Sequence, residues 1–250
     1  STYRNLPPVT REIHGRLVEK DMLDSWLTSK TPLLAISGIA GCGKTTLTSH
    51  WLNHTISVAP EYEIMYYPCQ PWDTPLGVAT SLLHKIGVGV DDGKHDPYNI
   101  LEALPLKPGV EIDIDSYRRR LTAHMLDESG LDTKQEKELL VVLDDVHNIG
   151  PEGNYLFGAL LQVAEIAPLR LILISRNRLS FYDTRDVHTR ERVRELHLSG
   201  LSVEEVNSWI SSMNLPNETE VEKIHSITGG HPLAVELLEL YGKTVHDDWI

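Results

Sequence analysis

The sequence predicts an α/β protein: a mostly parallel sheet covered by helices on both faces, followed by a small bundle of helices. Three observations predict it. Apolar runs alternate with helically spaced segments as far as Leu198, the pattern of strands joined by helical crossovers. The runs at 31–37 (TPLLAIS), 139–143 (LLVVL) and 171–174 (LILI) are almost wholly apolar, as expected of strands buried on both faces. After Gly200 no further strand-like run occurs, and Ser202-x-x-Glu205 and Asn217-x-x-Glu220 resemble helix-opening capping boxes.

The elements follow in order. Residues 1–10, with Pro7-Pro8, read as an extended lead-in. Leu17–Ser29 has Met22, Leu23, Trp26 and Leu27 at helical spacing, and 31–37 is a buried strand ending at a glycine. Lys44–Asn53 carries Leu47, Trp51 and Leu52 on one helical face. Glu63–Tyr67 is a strand and Pro75–Ile86 a helix. Gly87–Val110, rich in Gly, Pro and Asp, is a long excursion with a short helix near Tyr98–Ala103. Ser116–Asp127 resumes the helical period, 139–143 is a strand, Tyr155–Ile166 an amphipathic helix closed by Pro168, and 171–174 a strand. Val193–Leu198 is a weaker last strand. Three helices then follow, on Val203, Val206, Trp209 and Ile210, on Val221, Ile224 and Ile227, and over Pro232–Tyr241. The division expected is a first domain at 1–198 and a helical lid subdomain at 199–250.

Composition excludes some classes. With 36 acidic and 23 basic residues the formal charge is −13, which disfavours nucleic acid and anionic membrane as partners at long range. No apolar run is long enough to span a bilayer, and residues 1–10 lack a signal-peptide pattern. Two well-separated cysteines, Cys42 and Cys69, give no disulfide framework. The expectation is a soluble cytoplasmic protein.

One motif carries chemistry by itself. Gly38-Ile39-Ala40-Gly41-Cys42-Gly43-Lys44-Thr45 matches G-x-x-x-x-G-K-[ST] without a mismatch, between a strand and a helix. Glycines permit the positive φ angles that bring backbone N–H groups onto phosphates, and the following helix N-terminus adds partial positive charge. Lys44 would meet the outer phosphates, and the Thr45 hydroxyl is suited to magnesium. Such a loop needs a carboxylate at a neighbouring strand end. The 139–143 run delivers Asp144 and Asp145 there. Asp144 is the candidate for the metal, through water, and Asp145 for the attacking water. The 171–174 run ends in Ser175-Arg176-Asn177-Arg178, and Arg176, two residues past it, is the candidate γ-phosphate sensor. Arg178 is left without a role.

These residues resemble a family. The P-loop, LLVVLDDV at 139–146, LILISRNR at 171–178 and Gly229-Gly230-His231-Pro232-Leu233-Ala234 occur in the order seen in the STAND class, signal-transducing ATPases with numerous domains. That class includes the plant disease-resistance and apoptotic-activator ATPases with an NB-ARC module. Ile13-His14-Gly15-Arg16 looks like its N-terminal element, and Glu195–Ser202 like its link into the first helical subdomain. The likeness spans about residues 11–241. It implies a P-loop NTPase of ASCE/AAA+-like kind with a helical subdomain. It also implies a switch that holds ADP, exchanges it for ATP, self-associates through the ATPase domain, and resets by slow Mg²⁺-dependent hydrolysis. By the same likeness Gly15 and Arg16 lie by the adenine or ribose. Gly38, Ala40, Gly41, Cys42, Gly43, Lys44, Thr45 and Thr46 surround phosphates and magnesium, and Pro232 packs on the base. Leu17 stands where the family often has an acid. The family's winged-helix and sensor domains have no counterpart here, so the chain is expected to be part of a longer protein.

Other features have plainer explanations. The twelve histidines are read as solvated or core side chains rather than metal ligands, Cys42 as a small buried filler, and Arg118-Arg119-Arg120 as an exposed helix face. Arg185–Arg194 offers either a finger to a neighbour's nucleotide or local ion pairs. Two other function classes stand beside the switch. An AAA+-type DNA loader or remodelling ATPase would usually carry a sensor arginine in the helical lid, which Gly230–Tyr241 lacks. A small-metabolite kinase would use Gly87–Val110 as its lid.

Overall fold

In the computed structural model, residues 7, 12–56, 59, 61–85, 112–129, 137–211 and 218–247 are described. The remainder of the lead-in, the excursion at 87–110 with its short helix, and Asn217 of the second capping box lie outside them. Helix α1 (Leu17–Leu27) leads into β1 (Leu33–Ser37), α2 (Lys44–His54), β2 (Tyr62–Pro68) and α3 (Pro75–Lys85). Then come α4 (Ile114–Ser129), β3 (Glu138–Asp144), α5 (Gly153–Ala164), β4 (Leu169–Ser175), α6 (Thr184–His188) and β5 (Val193–His197). Helices α7 (Val203–Ser211), α8 (Glu218–Thr228) and α9 (Pro232–Asp247) form the helical subdomain. Among the described residues no helix is long and apolar enough to cross a membrane.

The strands form one parallel sheet in the order β2-β3-β4-β1-β5. Strand β4 therefore lies between β1, which feeds the glycine loop, and β3, which carries the acids. Leu143 is level with Leu173, and Leu173 with Ala35, so all three strands end together at one edge.

Pleating divides each apolar run between two cores. Leu33 and Ala35, Leu139, Val141 and Leu143, and Leu171 and Leu173 face a core with α3, α4 and α5. Leu34 and Ile36, Leu140 and Val142, and Ile172 and Ile174 face the opposite core, with α1 and α2. Two buried faces explain why these runs do not alternate with polar residues. A third, smaller core of Leu201, Val206, Ile210, Val221 and Val235 holds the helical subdomain.

Arg170, at the start of β4, is buried among the final carbonyls of α1. It donates to Trp26 O at 3.3 Å, Leu27 O at 3.1 Å, Thr31 O at 2.9 Å and also to Ser29 O. It pairs with Glu138 Oε1 at 3.2 Å and lies over the Trp26 ring. The guanidinium thus closes a helix end whose carbonyls lack intrahelical donors.

Sequence reasoning passed over α6. Asp183 and Asp186 form a complete capping box around it. All four arginines of 185–194 have partners: Arg185 with Asp183, Arg190 with Asp186, Arg192 with Glu165 and Asp186, and Arg194 with Ser25 Oγ. The structure therefore shows local ion pairs along that stretch. Arg178, left open by the sequence, pairs with Glu195 Oε1 at 2.6 Å on the surface. His50 and His54 are an i, i+4 pair on α2 with rings stacked 3.9 Å apart; among the described residues no group of three or more His, Cys, Asp or Glu could hold a metal ion.

Arg170→Ala removes the donor shared by the Trp26, Leu27, Ser29 and Thr31 carbonyls and unpairs Glu138. It should lower folding stability by about 3 kcal/mol, measured by urea unfolding; a loss below about 1 kcal/mol would show that other donors satisfy those carbonyls.

Candidate functional site

The loop after β1 is shaped by three glycines with positive φ, Gly38 at 154°, Gly41 at 78° and Gly43 at 94°. At Gly38 the space matters as well, since a Cβ there would stand 2.8 Å from Cys42 Sγ. No side chain caps the N-terminus of α2, so its first N–H groups and the helix dipole face the loop. Lys44 opens that helix and is only 6% exposed. Its ammonium donates to Gly38 O at 2.6 Å and Ile39 O at 3.0 Å, neutral groups of the same loop. A buried cation among neutral acceptors is poised for an anion.

Strand parity sets the acidic half. Leu140 and Val142 point to the α2 side of the sheet, and Asp144 follows in the same phase. It accepts from Thr45 Oγ1 at 2.7 Å and from Tyr66 Oη at 2.8 Å. Burial raises the Asp144 pKa, and the hydrogen bonds from Thr45 and Tyr66 oppose that shift. Burial, then the Asp144 charge, raises the Tyr66 pKa, so the phenol remains a donor. Asp145 leaves the strand with φ 54° and enters the cavity wall. Arg176 emerges from the intervening β4 and reaches the same wall.

The cavity has a volume of about 500 Å³, within the range of small-ligand sites. Of the predicted residues, Arg16, Ala40, Gly41, Cys42, Gly43 and Lys44 line it, as do Thr45, Thr46, Asp145, Arg176 and Pro232. Gly15, Gly38 and Asp144 do not line it. Gly15 forms a left-handed turn behind it, Gly38 packs against Leu198, and Asp144 lies under Thr45. The other end of the cavity was not foreseen. There His14 stacks on Trp209 with ring centroids 4.6 Å apart, beside Leu201, Leu233 and Glu236. His14 was seen only as part of a motif, and Trp209 only as one residue of a helical stripe.

Polar ties hold the helical subdomain against this cavity. Glu205, the capping-box acid of α7, accepts from Ser202 N at 2.8 Å and, with its other oxygen, from Arg16 N at 2.6 Å. Ser202 Oγ accepts from Glu205 N at 3.2 Å, completing the box. The Arg16 guanidinium reaches Cys42 O at 3.0 Å, Ser199 O at 2.7 Å and Glu19 Oε1 at 2.7 Å. It thereby joins the P-loop to the exit of β5. His231 donates from Nε2 to Ala40 O at 2.8 Å. A Cβ on Gly41 would stand 2.7 Å from His231 Cε1, so α9 begins directly on the loop.

The donor set suits magnesium. Such an ion takes one or two protein oxygens together with substrate phosphates, and the Thr45 hydroxyl and Asp144 carboxylate are adjacent beside the loop. These two residues would hold it, Asp144 through water. When bound, it neutralises charge developing on the phosphate oxygens.

A parallel sheet with this strand order, a P-loop and an acidic strand end define an ATP-hydrolysing P-loop enzyme. Residues 7–174 match the AAA ATPase domain family, and the chain belongs to that family. No curated protein matches the sequence significantly. Among solved structures, the Aeropyrum pernix ORC1 protein in complex with DNA is similar at TM-score 0.59 and 15% identity, over 97% of this chain and 63% of that one. Drosophila ORC bound to DNA is similar at TM-score 0.53 and 17% identity, over 79% of this chain and 46% of the other. The chain thus spans less than two thirds of either relative. At these identities the likeness shows the fold.

Glu205→Ala removes the acceptor shared by Arg16 N and Ser202 N. Nucleotide should leave about tenfold faster, the equivalent of ~1.4 kcal/mol, in a chase with a fluorescent ATP analogue. An unchanged rate would show that this tie does not hold the cavity closed.

Proposed function

We propose that the chain is an ATP/ADP-dependent molecular switch whose slow hydrolysis controls signalling or self-association. The observation supporting this is the seating of the helical subdomain on the P-loop, directly through His231–Ala40 and by way of Arg16, which joins Glu205 to Cys42 O. Phosphate bound at the loop acts on the backbone that these contacts grip, so nucleotide state and subdomain position are coupled. The base would lie toward Pro232, His14 and Trp209, with phosphates toward Lys44 and Arg176. Asp145 would orient the attacking water, and Arg176 would meet the γ-phosphate. Cytoplasmic location, a longer parent chain and self-association in the ATP state belong to the same proposal.

The fold likeness supports a second reading, a DNA-associated AAA+ ATPase, because the two ORC structures named above are complexes with DNA. Those relatives lend no support to the expectation that nucleic acid is not a partner. The net charge of −13 still opposes long-range attraction to DNA.

Mass analysis of nucleotide released from purified protein should find ADP, and turnover should stay well below about one per second. Faster turnover would sink the switch, while duplex binding that weakens steeply with salt would favour the DNA reading. Lys44→Ala should abolish nucleotide retention; undiminished retention would remove the loop from the mechanism.

A further inference from the structure

Asp145 has a neighbour that the mechanism above does not use. The chain leaves β3 through Asp145 into a single 3-10 turn, Val146–Ile149. Asn148 N donates to Asp145 O at 2.9 Å, and the Asn148 side chain donates to Cys69 O at 2.9 Å, anchoring the turn to the exit of β2. This turn and the left-handed backbone of Asp145 bring His147 Nδ1 to 3.8 Å from Asp145 Oδ1. Both ring nitrogens of His147 are shut off from solvent and neither makes a hydrogen bond. Buried imidazole nitrogens normally find partners. The nearest charged acceptor is therefore a carboxylate of the active site, just beyond hydrogen-bonding distance.

The rest of the site surrounds this pair. Asp144 and Asp145 act on the ring with negative charge, and Arg176 and Lys44 with positive charge. Burial lowers the His147 pKa, which leaves a neutral imidazole with one N–H to give. Asp145 itself is half exposed at the cavity. A carboxylate on a turn, free to rotate, orients water poorly unless one of its oxygens is held.

We propose that His147 is a positioning residue for ATP hydrolysis: its Nδ1–H closes onto Asp145 Oδ1 and fixes that carboxylate so that Oδ2 faces the attacking water. The inference rests on the assignment of Asp145 to the water and is independent of whether the chain is a switch. The short closing movement follows from a side-chain rotation of either partner and needs no change in the sheet. Sequence reasoning missed His147 because a histidine two residues beyond an acidic pair has no spacing signal of its own.

The test compares three variants of His147, Asp145→Asn and a double variant with the unaltered chain by single-turnover hydrolysis, ADP affinity, thermal midpoint, and affinity for ADP with aluminium fluoride, a mimic of the transferring phosphate. His147→Ala should slow hydrolysis about tenfold and weaken the fluoride complex similarly, with ADP affinity unchanged. His147→Asn places an amide N–H near the position of Nδ1 and should recover most of both losses. His147→Gln, which extends toward Nε2, should recover neither. Combined with Asp145→Asn, His147→Ala should add nothing further. Hydrolysis and fluoride affinity within twofold of the unaltered chain in His147→Ala would overturn the proposal. So would an Asn variant as defective as the Ala variant, whether or not either is less stable. Fast turnover in the unaltered chain would count against the switch alone, since the ratios among variants would still be read.

Discussion

The geometry of the site depends on the phase of one strand. A parallel strand buried on both faces delivers successive side chains to opposite cores, and the phase of β3 puts Asp144 on the side occupied by α2. That choice makes the Thr45–Asp144 hydrogen bond possible and lets Tyr66, in the same phase on the neighbouring strand, complete it. A slip of one residue would send Asp144 toward α5 and leave the threonine without its carboxylate. The strand order adds a second constraint. With β4 between β1 and β3, Arg176 emerges between the glycine loop and the acids, where a third charge can meet a phosphate from a direction different from that of Lys44.

The two parts of the molecule are held by different physics. The sheet and its helices rest on two extensive apolar cores, which resist local adjustment. The helical subdomain has a core of five buried residues and meets the sheet end through directional contacts. The close backbone approach of Gly200 and Gly230 to the opposing chain, with Leu201 N donating to Gly230 O at 2.7 Å, leaves no room for side chains at the junction. Contacts of this kind are specific in geometry and modest in energy. They suit a part whose position responds to what occupies the loop.

Much of this architecture was legible in the residues. The two-sided burial of the strands shows in their unbroken apolar runs, and the P-loop lies between β1 and α2 as its pattern demands. Strand ends named Asp144, Asp145 and Arg176 correctly as residues of one sheet edge. What was not legible came from pairings across long separations. Arg16 is 183 residues from Ser199 and 26 from Cys42, and nothing local marks it as a brace. Glu205 is visible as a capping residue, but its second bond, to Arg16 N, depends on how the subdomain docks. Arg170 stands just ahead of the 171–174 run and carries no local signal until the carbonyl end of α1 is brought around it. Helix α6 was missed because its few residues are held by capping and ion pairs, with too little apolar period to register.

The stack of His14 on Trp209 has a practical side. Among the described residues, Trp26 and Trp51 are buried in the sheet's core, and Trp72 is exposed. Trp209 alone of these four lines the nucleotide cavity. In the proposed seating the base would arrive at this indole, beside the His14 ring stacked on it. The cavity thus carries an intrinsic fluorophore in its wall, so a ligand entering it would be followed optically with no label attached.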